Sequence, residues 1–173
     1  DHMEYWGDTR EKICFEIAGS FRDHTTTCST IAICGDENPP QRLVNYAAQI
    51  GANLQLINRD FSIKKTVQGC LYAAGNTQIQ LQSLGLAGDF QLNNAACVLC
   101  AVQYLNALLP TTLANIQVAL SRVNLSGRFQ QIHINPQIIV DVAHNPHAAK
   151  SLADNLQTAP CAGRTLAVFA MLA

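Results

Sequence analysis

Residues 30–57 read TIAICGDENPPQRLVNYAAQIGANLQLI, and this stretch decides the fold class. The apolar run Thr30–Cys34 predicts a strand, and Asn53–Ile57 predicts a second strand. Between them, Pro39 and Pro40 suit the entry of a helix whose apolar positions recur on one face. A strand–helix–strand crossover of this kind is typical of a parallel sheet. The sequence therefore predicts an α/β fold.

Further elements of the first part of the chain follow from caps, periodicity and turn residues. Asp8 or Thr9 can cap a helix that ends at Gly19. Short alternating stretches on either side of Gly75-Asn76 predict a hairpin laid against the sheet. The remaining predictions, in chain order, are the hairpin strands Gly69–Ala73 and Thr77–Leu81, the helices Leu92–Leu109 and Leu113–Val123, and a loop at Leu125–Gln130.

A second strand–helix–strand unit is predicted near the end of the sequence. Gln137–Asp141 is an unbroken apolar run typical of a buried parallel strand. The helix Ala148–Leu156 and a final strand, Thr165–Met171, would complete the unit. We place a domain boundary between these parts, which divides the chain into 1–135 and 136–173. The first unit is expected to lack its beginning and the second its end.

The composition suits a packed protein and gives no sign of a polyanionic partner. Of the 173 residues, 49% are hydrophobic and 13% are charged, and the formal net charge is −1. No basic stripe is present, so neither nucleic acid nor an anionic membrane is expected as a partner. No apolar run approaches the roughly 18 residues of a membrane span, and no leader sequence opens the chain. A soluble, cytoplasmic protein is expected.

The sequence contains seven cysteines at irregular spacing. Their odd number, without a leader peptide, favours reduced thiols over a disulfide framework. Cys97 and Cys100 form a C-x-x-C, but they lie in the apolar helical run Ala95–Leu109. No second Cys or His pair stands at zinc-like spacing. We interpret them as core residues rather than as a metal or redox site.

The strongest candidate site is the run Asp141-Val-Ala-His144-Asn145-Pro146-His147. Asp141 follows the predicted strand, at the sheet edge where α/β proteins bind ligands. Asn145 can cap the next helix with Pro146 in its first turn, and the free amides there favour a phosphate. His144 could reach such an anion. A capped helix with two incidental histidines is the alternative.

Three further residues are candidates, each with an ordinary alternative. Arg128, in a Ser-Gly-Arg loop, could reach a nucleotide across a cleft or could be a solvated arginine. Asn94 could cap the long helix, or could offer a donor and an acceptor to an adenine edge. His2 could ligate a metal ion through a neutral imidazole nitrogen.

An ordered series of motifs runs along nearly the whole chain. It comprises Asp1-His2, Thr9-Arg-Glu-Lys-Ile13, Glu16-x-Ala18-Gly19, Ala32-Ile-Cys-Gly35-Asp36, Arg59-Asp60-Phe61, Gln91-Leu-x-Asn94-Ala95-Ala96, Gly127-Arg128-Phe129-Gln130, Asp141-Val-Ala-His-Asn-Pro-His147 and Ala167-Val-Phe-x-Met-Leu172. Taken together, this series resembles folylpolyglutamate synthase, and its bifunctional dihydrofolate synthase form, within the Mur ligase superfamily.

The resemblance implies a fold and an activity. Residues 1–135 would be the later part of a P-loop Mur-ligase central domain, and 136–173 the start of a Rossmann-like glutamate-ligase domain. Such enzymes use ATP and Mg²⁺ to phosphorylate a carboxyl group of dihydropteroate or folate, and L-glutamate then attacks the acyl phosphate. The resemblance implies His2 as a magnesium ligand and Asn94 near the adenine base. It implies Arg128 and Asp141 as further ATP-binding residues, and His144 as the catalytic residue near phosphoryl transfer.

Departures from the family pattern set two further expectations. Ile17 stands where the family has a lysine that is carbamylated to bind a metal ion, and isoleucine cannot do this. No G-x-x-x-x-G-K-[ST] occurs in the sequence, and the chain stops at Ala173 where family members continue. The 173 residues alone are therefore expected to be inactive. A full-length protein is expected to be a monomer.

Two other functions stay open. A peptidoglycan Mur ligase would share the chemistry, although Thr9-Arg-Glu-Lys and Glu16-x-Ala-Gly favour the folate branch. The second function is that of a non-catalytic remnant or a nucleotide-binding scaffold, and the presence of Ile17 favours it. A dinucleotide-binding oxidoreductase is excluded because no G-x-G-x-x-G is present.

Overall fold

The computed structural model describes residues 7–22, 31–86, 88–159 and 161–170. They form a parallel strand pair, an antiparallel three-stranded meander and a short hairpin, with helices between them. In chain order the elements are α1 (Arg10–Ala18), β1 (Ile31–Cys34), α2 (Gln41–Gln49), β2 (Asn53–Leu56), β3 (Phe61–Thr66), β4 (Gly69–Ala74), β5 (Thr77–Leu81), α3 (Asp89–Leu105), α4 (Leu113–Arg122), β6 (Gln130–His133), β7 (Ile138–Val140) and α5 (Pro146–Thr158).

The predicted crossover is confirmed. Strands β1 and β2 pair in parallel, with Ile31 opposite Asn53 and Cys34 opposite Leu56. Helix α2 connects them and buries Leu43 on the face toward the sheet. The structure thus contains the predicted α/β unit, and the carboxyl end of β1 opens into the turn at Gly35.

The first helix and the hairpin also agree with the sequence. Thr9 caps α1, because its side chain accepts a hydrogen bond from the Lys12 backbone N–H at 3.2 Å. Strands β4 and β5 pair around Gly75, whose φ of +54° suits glycine in a tight turn. Strand β3 joins them on the other side of β4, so the hairpin is part of a meander.

The main core lies between this meander and α3. Its buried residues come from the two elements and from the β2–β3 connection: Ile57, Phe61, Ile63, Cys70, Tyr72, Leu81, Ala95, Ala96, Leu99 and Cys100. A second cluster packs α1 and α2 against β2 through Ala18, Leu43, Ala47, Leu54 and Leu56. The main cluster packs α3 against Ile31 and Ile33 of β1, which fixes the surroundings of Asn94.

Helix α3 begins and ends earlier than the sequence predicts. Its first residue is Asp89 and Gly88 precedes it without a side-chain cap, so no capping signal marks the start. The last residue is Leu105. The Asn106 side chain accepts a hydrogen bond from the Thr111 N–H at 3.0 Å, which closes a turn around the exposed Leu108 and Leu109.

The prediction of a buried parallel strand at Gln137–Asp141 is wrong. Strand β7 spans only Ile138–Val140, pairs antiparallel with β6, and leaves Ile138 exposed. The connection is residues 134–137, and a parallel pair needs a crossover of about a dozen residues or more. The expected domain boundary at 135/136 falls inside this connection and stays a prediction.

Helix α5 confirms the predicted helix Ala148–Leu156 and is longer at both ends. The prediction of a strand after this helix is wrong for the described residues. Residues 161–170 contain no strand, and Leu166 and Phe169 are 85% and 75% exposed. An extended apolar segment needs a paired neighbour, and the only described partner of β7 is β6. Met171 lies outside the described residues. In the described part of the chain, no helix is both long and apolar enough to cross a membrane.

Candidate functional site

Asp141 is the centre of a hydrogen-bonded loop system. One carboxylate oxygen accepts from the Phe129 backbone N–H at 2.7 Å, and the other accepts from the Ala143 N–H at 2.8 Å. These bonds join the turn that carries Arg128 to the segment that carries His144. The structure therefore brings these three predicted residues into one loop system.

The Ser-Gly-Arg turn depends on glycine. Gly127 is buried, with φ +68°, and its carbonyl accepts from the Val142 N–H at 2.8 Å. A Cβ at this position would lie 2.6 Å from Cγ1 of Val142, which is closer than real contacts allow. The next residue, Arg128, is exposed, and its guanidinium has no hydrogen-bond or ion-pair partner within the described ranges. The turn thus presents a cation at the surface beside Asp141.

The amino end of α5 follows the predicted pattern. The Asn145 side chain accepts from the Ala148 N–H at 2.7 Å, and Pro146 is the first helical residue. His144 is exposed, and its Nδ1 lies 2.9 Å from the Val142 carbonyl oxygen. Because a carbonyl oxygen can only accept a hydrogen bond, Nδ1 carries a proton in this contact. The helix dipole and His144 together suit an anion or an activated carboxyl group.

Asn94 lies elsewhere, on the exposed side of α3. The prediction that it caps this helix is wrong, because the helix begins at Asp89. Its Nδ2 donates to Oε1 of the buried Gln91 at 3.0 Å. Beside it, Nδ2 of Asn93 donates to Oε1 of Glu37 at 2.9 Å, which ties α3 to the turn after β1. The adenine interpretation of Asn94 stays a prediction.

That turn is itself fixed by an ion pair. Arg10 of α1 contacts the Asp36 carboxylate and also donates to the Asn38 carbonyl at 2.9 Å. Partial burial acts to raise the pKa of Asp36, but the hydrogen bonds from Arg10 and from the Asn38 N–H outweigh it and lower that pKa. The Asp36 carboxylate is therefore held in its ionised form against α1.

A cleft of about 800 Å³ lies between the meander, the start of α3 and α5. Phe129 connects the cleft to the Asp141 loop system, whereas Asn94, Arg128, Asp141 and His144 do not line it. Gly88 has φ +110°, and a Cβ there would lie 2.9 Å from Oδ1 of Asn155. Sequence reasoning named Phe129 and Gln91 only as members of motifs and gave them no role. It missed Gly88, although a glycine just before a helix is a readable signal.

The described residues do not form a metal site. His2 lies outside them. Within them, no group of three or more His, Cys, Asp or Glu side chains could hold a metal ion. Ile17 is 48% exposed on α1, and its side chain has no ligand atom. The described residues therefore contain no preassembled cluster of metal ligands.

The interpretation of the C-x-x-C pair as core residues is confirmed. Cys100 is buried in the main cluster and Cys97 packs against it. Burial raises the pKa of Cys97 to about 11, which keeps the thiol protonated at neutral pH. Cys97 Sγ also lies against Gly35, where a Cβ would approach to 2.6 Å.

The loops that meet at Asp141 lie in a segment that matches a known domain family. Residues 127–173 match the family described as Mur ligase, glutamate ligase domain. Over 192 residues, the chain is 33% identical to the dihydrofolate synthase/folylpolyglutamate synthase of Haemophilus influenzae, covering 99% of this chain and 41% of that protein. The resemblance to the folate ligases of the Mur ligase superfamily is confirmed.

Solved structures agree with this likeness. E. coli FolC in complex with DHPP and ADP is 30% identical, with a TM-score of 0.82, and the match covers 95% of this chain and 37% of that one. The bifunctional enzyme of Yersinia pestis complexed with AMPPNP and a Mn ion is 32% identical, with a TM-score of 0.76, over 88% of this chain and 35% of that one. The chain thus spans about two fifths of the length of these proteins.

Proposed function

We propose that this chain is part of an ATP-dependent ligase that adds L-glutamate to dihydropteroate, to folate, or to both. The observation that carries the proposal is the bond from the Phe129 N–H to Asp141. It holds Arg128 and the amino end of α5 together in the segment that matches the glutamate ligase domain. Relatives whose names state this activity, and relatives bound to ADP or AMPPNP, support it.

Each proposed site residue has a chemical task. Asn94 contacts the adenine base through its amide. Arg128 supplies positive charge to the nucleotide. Each Asp141 oxygen that accepts a backbone N–H keeps a second lone pair, which can accept a ribose hydroxyl. His144, at the amino end of α5, lies near the migrating phosphoryl group.

The proposed reaction has two steps. A carboxylate oxygen of the pterin substrate takes the γ-phosphoryl group of ATP, and ADP leaves. The amino group of glutamate then attacks the acyl carbon, inorganic phosphate leaves, and the amine loses a proton as the amide forms. The residues of this chain orient the nucleotide and stabilise charge.

A divalent cation would neutralise phosphate charge in such a reaction. We propose His2 as the contribution of this chain to a Mg²⁺ site. Ile17 cannot supply a second ligand, and no group of three or more potential metal ligands occurs among the described residues. A non-catalytic, nucleotide-binding protein is therefore the second candidate, and Ile17 is the specific observation that favours it.

The proposed division of the chain assigns 1–135 to a central ATP-binding domain without its P-loop and 136–173 to the glutamate-ligase domain. The isolated 173 residues then contain nothing to cradle the β- and γ-phosphates. We expect them neither to hydrolyse ATP nor to ligate glutamate. In its complete form the protein would act as a cytoplasmic monomer.

The substrate can be tested in a chimaera of E. coli FolC in which residues 1–173 replace the matching segment and Ile17→Lys restores the metal ligand. Dihydropteroate, dihydrofolate and a UDP-muramyl acceptor are offered in turn with MgATP and labelled glutamate. Incorporation into one or both pterins supports the proposal. Incorporation into neither pterin by a folded chimaera would count against it.

A further inference from the structure

Gln91 is a buried polar side chain next to the proposed base contact. It is 6% exposed, although it lies in the first turn of α3. Its backbone N–H donates to the Gly88 carbonyl at 3.0 Å, which anchors the start of the helix. Burying an amide costs free energy unless its polar atoms are hydrogen-bonded. Such a residue therefore needs a partner, and the partner here is Asn94.

The bond between the two amides has a direction. Nδ2 of Asn94 donates to Oε1 of Gln91 at 3.0 Å. One N–H of Asn94 is thereby committed to the protein interior. Oδ1 and the second N–H of this exposed side chain are left to face solvent. If the Gln91 amide were reversed, the Asn94 amide would reverse as well and would lose this outward acceptor.

We propose that Gln91 is a positioning residue that fixes the Asn94 amide, so that Oδ1 accepts from the 6-amino group of a bound purine. The inference rests on the proposed function, which places Asn94 near the base. A 6-oxo purine presents an acceptor at the same place, and two facing acceptors repel. Gln91 thus makes the site selective for adenine nucleotides over hypoxanthine nucleotides.

The neighbouring contacts fix the backbone that carries the Asn94 amide. Asn93 is held by Glu37, and Gln91 and Asn94 lie on either side of it along α3. Ala95 and Ala96 follow directly in the main core, which fixes the backbone that carries Asn94. The position of the Asn94 backbone is therefore set by packing, and only the rotation of its amide depends on Gln91.

The first test needs no nucleotide. In the ¹⁵N-labelled 173-residue chain, one Asn94 Nδ2 proton should exchange with solvent about tenfold more slowly than the other, because a single hydrogen bond protects it. Gln91→Leu should abolish the difference. Gln103→Leu, which removes another hydrogen-bonded glutamine of α3, should leave it unchanged. Equal exchange of both protons in the parent chain would overturn the positioning role.

The second test compares ATP with ITP by NMR titration of the same proteins. The parent chain and Gln103→Leu should bind ATP about tenfold more tightly than ITP, and Gln91→Leu should bind the two equally. A preference retained in Gln91→Leu would overturn the inference. If Asn94→Ala also keeps the preference, or if neither nucleotide perturbs α3, the base contact of the proposed function fails and the inference fails with it.

Discussion

The carboxylate of Asp141 accepts a 2.7 Å hydrogen bond from the backbone N–H of Phe129 and so joins the end of β7 to the Ser-Gly-Arg turn. Phe129 has φ +46°, a conformation that a non-glycine residue adopts only when its surroundings hold it. The bond therefore positions the backbone of Arg128 relative to the amino end of α5. The binding of any ligand that contacts both Arg128 and the amino end of α5 therefore depends on Asp141.

Replacing Asp141 with asparagine should weaken this system. The asparagine amide can accept one of the two backbone N–H bonds, but its NH₂ group then faces the other N–H. Asp141→Asn should lower the free energy of unfolding by about 1 kcal/mol, the low end of the range for an unsatisfied donor, because these bonds are only partly buried. Urea denaturation measures this. Asp154→Asn, on the exposed side of α5, should change stability by less than about 0.5 kcal/mol.

The turn itself should not tolerate a side chain at Gly127. Its φ is +68°, and a Cβ would meet Val142 Cγ1 at 2.6 Å. Gly127→Ala should therefore destabilise the protein by about 1–3 kcal/mol. Gly163→Ala is the matched control, since a Cβ at Gly163 meets no atom within 4 Å. Equal melting temperatures for the two variants would contradict the described turn.

The core between α3 and the meander should be sensitive to truncation. Leu99 is fully buried in it, whereas its neighbour Val98 is 48% exposed. Leu99→Ala should cost about 2–5 kcal/mol and Val98→Ala less than about 1 kcal/mol. Chemical denaturation of both variants checks the orientation of α3, and a larger loss for Val98→Ala would show that the helix is rotated.

The Arg10–Asp36 ion pair should make stability depend on pH. The folded-state pKa of Asp36 is lowered, so its contribution is present above the unfolded pKa near 3.8 and is lost as pH falls through the folded value. Both side chains are partly exposed, so Arg10→Met should cost only about 0.5 kcal/mol at pH 7. The difference in unfolding free energy between Arg10→Met and the parent should shrink at pH 2 and in 1 M salt. A difference that does not change with pH would argue against the ion pair. Lys150→Met, which removes another exposed cation, is the control.

The sequence predicted elements whose signals are local. Apolar strands, proline at a helix entry and the Thr9 cap identified α1, β1, α2 and β2, and the glycine turn identified β4 and β5. Asn145 and Pro146 predicted the start of α5 for the same reason, since a cap bonds only within its own turn. Arg128, Asp141 and His144 were found as motif residues, although their connection through Phe129 was not.

The errors concern features that depend on the tertiary structure. The apolar run at Ile138–Val140 resembles a buried parallel strand, and only its pairing with β6 shows that it is antiparallel. Residues 165–170 have the composition of a strand but no described partner. Asn94 looked like a cap because Gly88, which precedes the helix, offers no side chain. A buried glutamine such as Gln91 has no sequence signature of its own.

The most direct measurement is glutamate-dependent release of ADP by the E. coli FolC chimaera that carries residues 1–173, with dihydropteroate as acceptor. We predict turnover with Ile17→Lys, at least about tenfold less with Ile17, and none from the isolated 173 residues. A folded Ile17→Lys chimaera without glutamate-dependent ADP release, beside active parental FolC, would contradict the assignment of this chain to a folate ligase.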